Sequence, residues 1–454
     1  MRITAFSFVS VLTALSTVVL ATKTPLEIRR MNRVRFNALL LAERGVAQFN
    51  FSTTTVRGVN LAGWLVLEPW VTPSIFSAVD SRVVDEWTFG QYVPDAKARL
   101  QQHWATWVTE RTFRQIAAVG YLNMVRIPIG YWCLDVSMGE PYVRADQLDY
   151  LTKAVGWAKQ YGLKVMIDLH GVPGSQNGFD NSGQRLDNNT VYFNANATNA
   201  ARAEAVLVTI AKRFSTPEYS DTVVAIELLN EPGTSFKTTP NIFAPSLLKY
   251  YRTFLDQGYY YMRHNTVPGQ VNNALTVTVH DGFQNLSYWE GAFSAPKFTN
   301  VVLDTHRYSM FVPGANALSP ADRLQSFCNL RTELSQSQKN VPTVIGEWTP
   351  APNDCAQWLN GRGRGSRYEG QYEDEPFTGP CYDKTFDAAR FSPDYKALLK
   401  AMFDTQTKLY EETTSGWIMW AWRTESAPEW SFKAGLKGGW IPSGSLGNRS
   451  SAAC

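Results

Sequence analysis

Eight short apolar runs of high β-propensity, most of them separated from the next by a longer stretch of helical character, constrain this chain more than any other feature. They run from Val56 to Leu61, Leu122 to Ile127, Leu163 to Leu169, Val223 to Leu229, Leu275 to Val279, Val301 to Asp304, Pro342 to Gly346 and Gly416 to Trp420. Candidate helices fill most of the gaps: Leu100 to Val119, Gln147 to Tyr161, Ala200 to Phe214, Leu247 to Arg263, Pro320 to Ser337 and Pro393 to Glu412. Strands alternating with helices pair in parallel, since each crossover carries the chain back to the same end of the sheet. Eight such units closing on themselves form an α/β structure, the (β/α)8 TIM barrel, whose working groups gather at the C-terminal ends of the strands. An open doubly wound sheet fits less well, because no glycine-rich phosphate loop follows the first run. Three long insertions, from Glu68 to Arg99, Val172 to Asn199 and Thr349 to Arg390, are predicted to lie over the C-terminal face. Loops of that length in a compact domain usually serve function.

The N-terminal segment suggests an extracellular route. Met1 and Arg2 precede an uncharged apolar run from Ile3 to Leu20, and Val19 with Ala21 gives a small-residue cleavage pattern, so residues 1–21 are predicted to be a signal peptide. The alternative is an uncleaved anchor, as the run is just long enough to span a bilayer. Residues 22–50 carry Arg29, Arg30, Arg33 and Arg35 and read as a propeptide with basic processing sites or as a flexible arm. Residues 51–454 read as a single catalytic domain. Five cysteines, an odd number, leave at least one unpaired. Sequons at Asn50, Asn188, Asn196, Asn285 and Asn448 fit passage through a glycosylating compartment. Lys plus Arg number 43 against 40 Asp plus Glu, with no basic block beyond the N-terminal region, which argues against a nucleic-acid partner. An uncharged substrate fits better, and fifteen Trp with twenty Tyr offer flat faces for sugar rings.

The chemistry is concentrated at the ends of the runs. Glu227-Leu228-Leu229-Asn230-Glu231-Pro232 closes the fourth run with an amide and a carboxylate, and Val344-Ile345-Gly346-Glu347-Trp348 closes the seventh with a second carboxylate, 116 residues later. On strands four and seven of a barrel the two would face each other across the mouth. Such a pair can cleave a glycosidic bond with retention, one carboxylate attacking the anomeric carbon while the other protonates the leaving oxygen. Arg126 and Tyr308 could keep Glu347 ionised by charge and hydrogen bonding. Of the five histidines, His103 and His264 read as structural, His280 stands between a structural and a functional role, and His170 and His306 end strands. No His-Glu-x-x-His helix and no Gly-x-Ser-x-Gly elbow occurs, so neither a metal or other cofactor nor an α/β-hydrolase triad is expected. The alternation Gly361, Gly363, Gly365 with arginines reads as a flexible surface turn.

Together Asn230-Glu231-Pro232, Gly346-Glu347-Trp348, Arg126, His170, His306-x-Tyr308 and Trp422 resemble the site of glycoside hydrolase family 5. Longer segments narrow the resemblance to the fungal-type exo-β-1,3-glucanases. These are Arg57 to Trp70, Arg126 to Trp132, Asp168 to Gly183 and Trp422 to Trp430, so that the similarity runs from about Val56 to the C-terminus. The resemblance implies Glu231 as acid/base and Glu347 as nucleophile, with Arg126, His170, Asn230, His306, Tyr308 and Trp422 around the reacting centre. It implies that Glu68 and Asp180 hold the terminal glucose, that the loops bearing them and Asn181 close the cleft behind it, and that Phe179 and Phe311 form an aromatic pair at the cleft entrance. It further implies disulfides Cys355–Cys381 and Cys328–Cys454, leaving Cys133 free. Two departures stand out: Ala62 replaces a usual glycine, and Arg307 lies where a histidine-rich run is usual. The activity implied is release of glucose from non-reducing ends of β-1,3-glucan, with transglycosylation where an acceptor sugar outcompetes water. The alternatives are a β-1,6-glucanase or broad β-glucosidase on the same scaffold, and an inactive glucan-binding wall protein. The expected setting is a secreted or wall-associated monomer without an obligate protein partner.

Overall fold

The computed structural model describes residues 49–454 apart from 138, 235–245, 268–271, 273, 448 and 450–453; the predicted signal peptide and almost all of the arm at 22–50 lie outside the described residues. Eight parallel strands close into a barrel in sequence order. They are β1 (Val56–Asn60), β2 (Met124–Gly130), β3 (Lys164–Gly171), β4 (Val223–Glu227), β5 (Thr276–His280), β6 (Val301–Arg307), β7 (Thr343–Trp348) and β8 (Gly416–Met419). Closure comes from β8 pairing with β1, Val56 opposite Gly416 and Val59 opposite Met419. The helices are α1 (Pro73–Ser77), α2 (Glu86–Tyr92), α3 (Ala96–Trp107), α4 (Glu110–Ala117), α5 (Gln147–Gln160), α6 (Ala197–Phe214), α7 (Leu247–His264), α8 (Pro320–Cys328), α9 (Arg331–Asn340), α10 (Pro393–Thr413) and α11 (Phe432–Gly438). None of those described is long and apolar enough to cross a membrane.

The barrel interior is stratified, and the stratification positions the site. Val56, Met124, Met166, Val224, Ala225, Val302, Val344 and Ile418 come mostly from the starts of the strands and pack with Phe51 into an apolar plug. Further along the same strands Asn60, Arg126, Asp168, Glu227 and Asp304 are wholly buried. Burying charge is tolerable only when it is paired and hydrogen-bonded, so this layer has to satisfy itself. A larger apolar cluster fills the space between strands and helices, contributed by residues such as Val125, Ile127, Ile167, Leu207, Phe254 and Phe403.

Two predicted helices are each broken in two. The stretch from Leu100 to Val119 is interrupted at Thr109, which takes an extended conformation and, with Thr112, caps α4. That from Pro320 to Ser337 ends at Cys328 and restarts at Arg331. A disulfide joins Cys328 to Cys454, another joins Cys355 to Cys381 across 26 residues, and Cys133 is free and buried. The shorter one closes the base of the insertion after β7.

Candidate active site

Arg126 lies in the middle of β2 rather than at its end and organises the charged layer. Its guanidinium donates to Glu227 Oε2 (2.8 Å), Glu347 Oε1 (2.8 Å), Asn230 Oδ1 (2.8 Å) and Asn60 Oδ1 (3.1 Å), with Asp168 Oδ2 at 3.1 Å. Asp168 in turn holds His170 Nδ1 at 2.6 Å, and the imidazole stacks on Trp420 at 5.4 Å. Asn230 is thereby pinned by its oxygen, with its amide nitrogen 3.4 Å from His170 Nε2.

The two carboxylates stand directly above this layer. Glu347 is the penultimate residue of β7 and is 4% exposed; beside its bond to Arg126, it accepts from the Tyr308 hydroxyl through Oε2 at 2.8 Å. Glu231 follows β4 and is 7% exposed. It is placed by a φ of +43°, a region that residues other than glycine rarely occupy and that recurs at functional sites. Its Oε2 accepts from Asn181 Nδ2 (3.2 Å), and its Oε1 lies 2.7 Å from His306 Nδ1. The same His306 nitrogen is 3.5 Å from Glu347 Oε2. Those two carboxylate oxygens are therefore at most about 6 Å apart, near the about 5–5.5 Å of retaining glycosidases and short of the about 6.5–9.5 Å of inverting ones.

Burial pushes both carboxyls towards the neutral form, but their surroundings separate them. For Glu231 the hydrogen bond and charge of His306, with help from His170 and Asn181, outweigh burial and hold it below its ordinary value. For Glu347 burial and the charge of Glu231 win over His306 and Arg126, and it is raised. An isolated pair would need the opposite order, with the acid raised. The order reverses because His306 favours its charged form: burial opposes that charge, yet the Glu347 and Asp304 carboxylates, the latter 3.5 Å from Nε2, and the bond to Glu231 raise it well above its usual range. His306 Nδ1 thus lies 2.7 Å from Glu231 and farther, 3.5 Å, from Glu347. His280 presents its ring edgewise to His306 and is held neutral, chiefly by burial and then by the charge of His306. Two groups with metal-ligand composition, Glu231/His280/His306 and Glu227/Asp304/His306, both run through His306.

Above the carboxylates lies a cavity of about 460 Å³, lined by Glu68, Phe179, Asp180, Asn181, Glu231, Tyr308, Phe311 and Glu347 among others. Glu68 accepts from Trp70 Nε1 at 3.0 Å and is raised well above its usual range by burial, then by Glu347 and Asp180. Asp180 is pushed up to about 7 by burial, and its Oδ2 has no hydrogen-bond partner among the described residues. Phe311 is 38% exposed and packs against Tyr308. Arg126, His170, Asn230 and His306 support this floor from below. His103, by contrast, is a half-buried structural residue, its Nε2 2.7 Å from the Gly63 carbonyl and its pKa lowered to about 4 by the desolvation of its ring.

Trp422 does not join them. It stacks on Phe432 at 6.0 Å, away from the cavity, while Trp420 and Trp430 line it. Beyond Met419 the strand ladder ends: the amides of Trp420, Ala421 and Trp422 turn to Trp348, Trp430 and Asn60 in succession, so alternation no longer decides which side chain faces inward. The reading of Gly361 to Gly365 as a flexible turn is also corrected. Arg362 donates to the carbonyls of Val79, Asp80 and Val83 and accepts from Arg185, which fastens the loop, and Leu359, Asn360, Arg364 and Arg367 line the cavity. Phe283, 45% exposed, is a further aromatic at the rim. Only the length of the insertion hinted at its cavity-lining residues, and the contacts of Arg362 reach segments 177 to 283 positions away.

Comparison with known proteins agrees with this geometry. Residues 91–357 match the family model Cellulase (glycosyl hydrolase family 5). The chain is 42% identical over 417 residues to a glucan 1,3-beta-glucosidase of Blumeria graminis, covering 89% of this chain and 90% of the relative. It is 41% identical over 395 residues to a probable glucan 1,3-beta-glucosidase A of Aspergillus niger, covering 85% and 87%. Among solved structures, the rutinosidase from Aspergillus niger superposes with a TM-score of 0.66 at 20% identity, over 87% of this chain and all of that one, a likeness of fold. With a barrel closed in sequence order, two carboxylates joined through one histidine at its mouth, and relatives of this similarity along nearly its whole length, the chain belongs to glycoside hydrolase family 5.

Proposed function

We propose that this chain is a retaining glucan 1,3-β-glucosidase that removes glucose from non-reducing chain ends, with Glu347 as nucleophile and Glu231 as acid/base. The observation that carries the reading is His306 Nδ1 lying between the two carboxylates, 2.7 Å from Glu231 and 3.5 Å from Glu347. It keeps the pair close enough for direct attack on the anomeric carbon and gives the proton to the Glu231 side. In the first step Glu347 bonds to that carbon as Glu231, sharing its proton with His306, protonates the departing oxygen. In the second, Glu231 takes a proton from water, or from a sugar hydroxyl, as that oxygen bonds to the anomeric carbon and the bond to Glu347 breaks, so that glucose leaves or is transferred. Arg126 and Tyr308 stabilise the nucleophile's charge, and Asn230, pinned by Arg126, is the group to hold the 2-hydroxyl.

Glu68 and the unpartnered oxygen of Asp180 offer acceptors to the hydroxyls of a terminal glucose, and Phe179 with Phe311 gives the next sugar a flat face. The linkage comes from the relatives' names; a β-1,6-glucanase or broad β-glucosidase would use the same centre. The reading extends to a secreted monomer, supported by two disulfides, which persist in oxidising compartments. The test is product analysis on β-1,3, β-1,4 and β-1,6 oligosaccharides and on laminarin. Glucose alone in the first products from laminarin, with β-1,3 oligosaccharides preferred, is the expected result. Early mixed oligosaccharides would overturn the exo assignment, and preference for another linkage would overturn the substrate.

A further inference from the structure

The carboxylates Glu68 and Asp180 come from different insertions, after β1 and β3, and something has to set their separation. Three consecutive residues do so. At the start of α2, Glu86 Oε2 accepts from the amide of Leu67 at 2.9 Å, immediately before Glu68. Its Oε1 accepts from Trp132 Nε1 at 2.8 Å. That indole is packed where Gly130, Gly171 and Gly183 leave room: a Cβ at Gly130 or Gly183 would come within 2.2 Å of its ring, and one at Gly171 within 2.6 Å. Gly171 ends β3 and Gly183 closes the turn Asp180–Ser182. On one side of Glu86, Asp85 Oδ2 accepts from the Arg185 amide at 2.6 Å; on the other, the Trp87 amide donates to the Gly183 carbonyl at 2.9 Å. Asp85 and Glu86 are both buried, and neither faces the cavity.

We infer that Asp85-Glu86-Trp87 is a clamp that positions the Glu68 loop against the Asp180–Asn181 loop, and that Glu86 is a positioning residue for the closed end of the cleft. A carboxylate is suited to the task because it accepts from two N–H donors at once. An amide in its place turns an NH2 group towards one of them and releases one loop. The consequence is one of specificity: the wall that blocks the cleft behind the terminal sugar loosens, so a chain can pass through.

This rests on the exo reading, and the experiment separates the two. Wild type, Glu86→Gln and Asp85→Asn are compared in the full chain for first products from laminarin, for kcat and KM on laminaribiose, and for amide hydrogen exchange. Expected for both variants are oligosaccharides beside glucose among the first products. KM should rise about tenfold, the loss of one charge-assisted hydrogen bond, with a smaller change in kcat. Amides around residues 64–70 and 178–186 should exchange faster while those of the barrel strands keep their rates. Wild-type products, KM and exchange in both variants would overturn the clamp. So would faster exchange in all eight strands together, which would make Asp85 and Glu86 supports of the whole fold. If wild type itself releases oligosaccharides first, the exo reading fails, and the clamp then stands or falls on local exchange and KM.

Discussion

Replacing Arg126 by methionine keeps most of the buried stem and removes the charge on which the layer under the site depends. Asp168, Glu227 and Glu347 lose a shared counter-charge, and among the described residues Glu227 loses the only partner of its Oε2 while its Oε1 has none. Removing one member of a buried ion pair costs about 3–5 kcal/mol. Unfolding about 400 residues at about 2.1 cal/mol/K each carries an entropy near 0.8 kcal/mol/K, so Tm should fall by about 4–6 °C at neutral pH. The pH dependence has a definite sign. Glu227 and Glu347 are already raised by burial, and losing Arg126 raises them further. A carboxyl raised in the folded state destabilises the fold above its folded pKa, and the penalty fades as pH falls towards the unfolded value, about 4. The Tm deficit of Arg126→Met should therefore be largest near neutrality and shrink towards about pH 4. The acid limb of kcat/KM on an aryl β-glucoside should move to higher pH, because Glu347, as the proposed nucleophile, must be ionised to attack. Thermal melts and rates across that range check both. A deficit that is constant or grows with acidity, or an acid limb that moves down, would refute the reasoning.

Removing the Cys355–Cys381 bridge opens a 26-residue loop, which in the chain-entropy model costs about 3.5 kcal/mol, and should lower Tm by about 4 °C in calorimetry. It should also raise KM, since Asn360, Arg364 and Arg367 line the cavity from that loop. Trp420→Ala should depress kcat/KM well beyond its effect on stability, whereas Trp422→Ala should act mainly on stability, by about 3–5 kcal/mol. Parallel kinetics and denaturant titrations of the two variants separate them, and the reverse pattern would restore Trp422 to the cleft.

What the sequence made legible follows from which forces are local. Strands buried on both faces carry continuous apolar runs, so all eight were found with edges displaced by a few residues; β6 was read to Asp304 but continues through His306 to Arg307. The ends of those runs also exposed Glu231, Glu347 and His170, because a polar residue closing a buried strand is visible in one dimension. The helix break at Thr109 leaves no mark in the pattern, because apolar spacing continues across it while a capping pair of threonines interrupts the hydrogen bonding. The sequence does not distinguish Trp420 from Trp422, because two indoles two residues apart look equivalent until the ladder ends. The fastening of Arg362 and the clamp at Asp85-Glu86-Trp87 depend on backbone groups of distant loops, which leave no local pattern.

The assignment of Glu347 as nucleophile and Glu231 as acid/base is tested most directly by the anomeric configuration of azide products. Glu347→Gly should be almost inactive, with azide entering the vacated space and giving an α-glucosyl azide from an activated β-glucoside. Glu231→Ala should still form the glycosyl-enzyme from substrates with good leaving groups, losing about 10² to 10⁴ in rate on poorer ones, and azide should release a β-glucosyl azide. NMR of the two products decides between the assignments: α from the Glu347 variant with β from the Glu231 variant is the predicted result, and β from the Glu347 variant would mean that the roles are reversed.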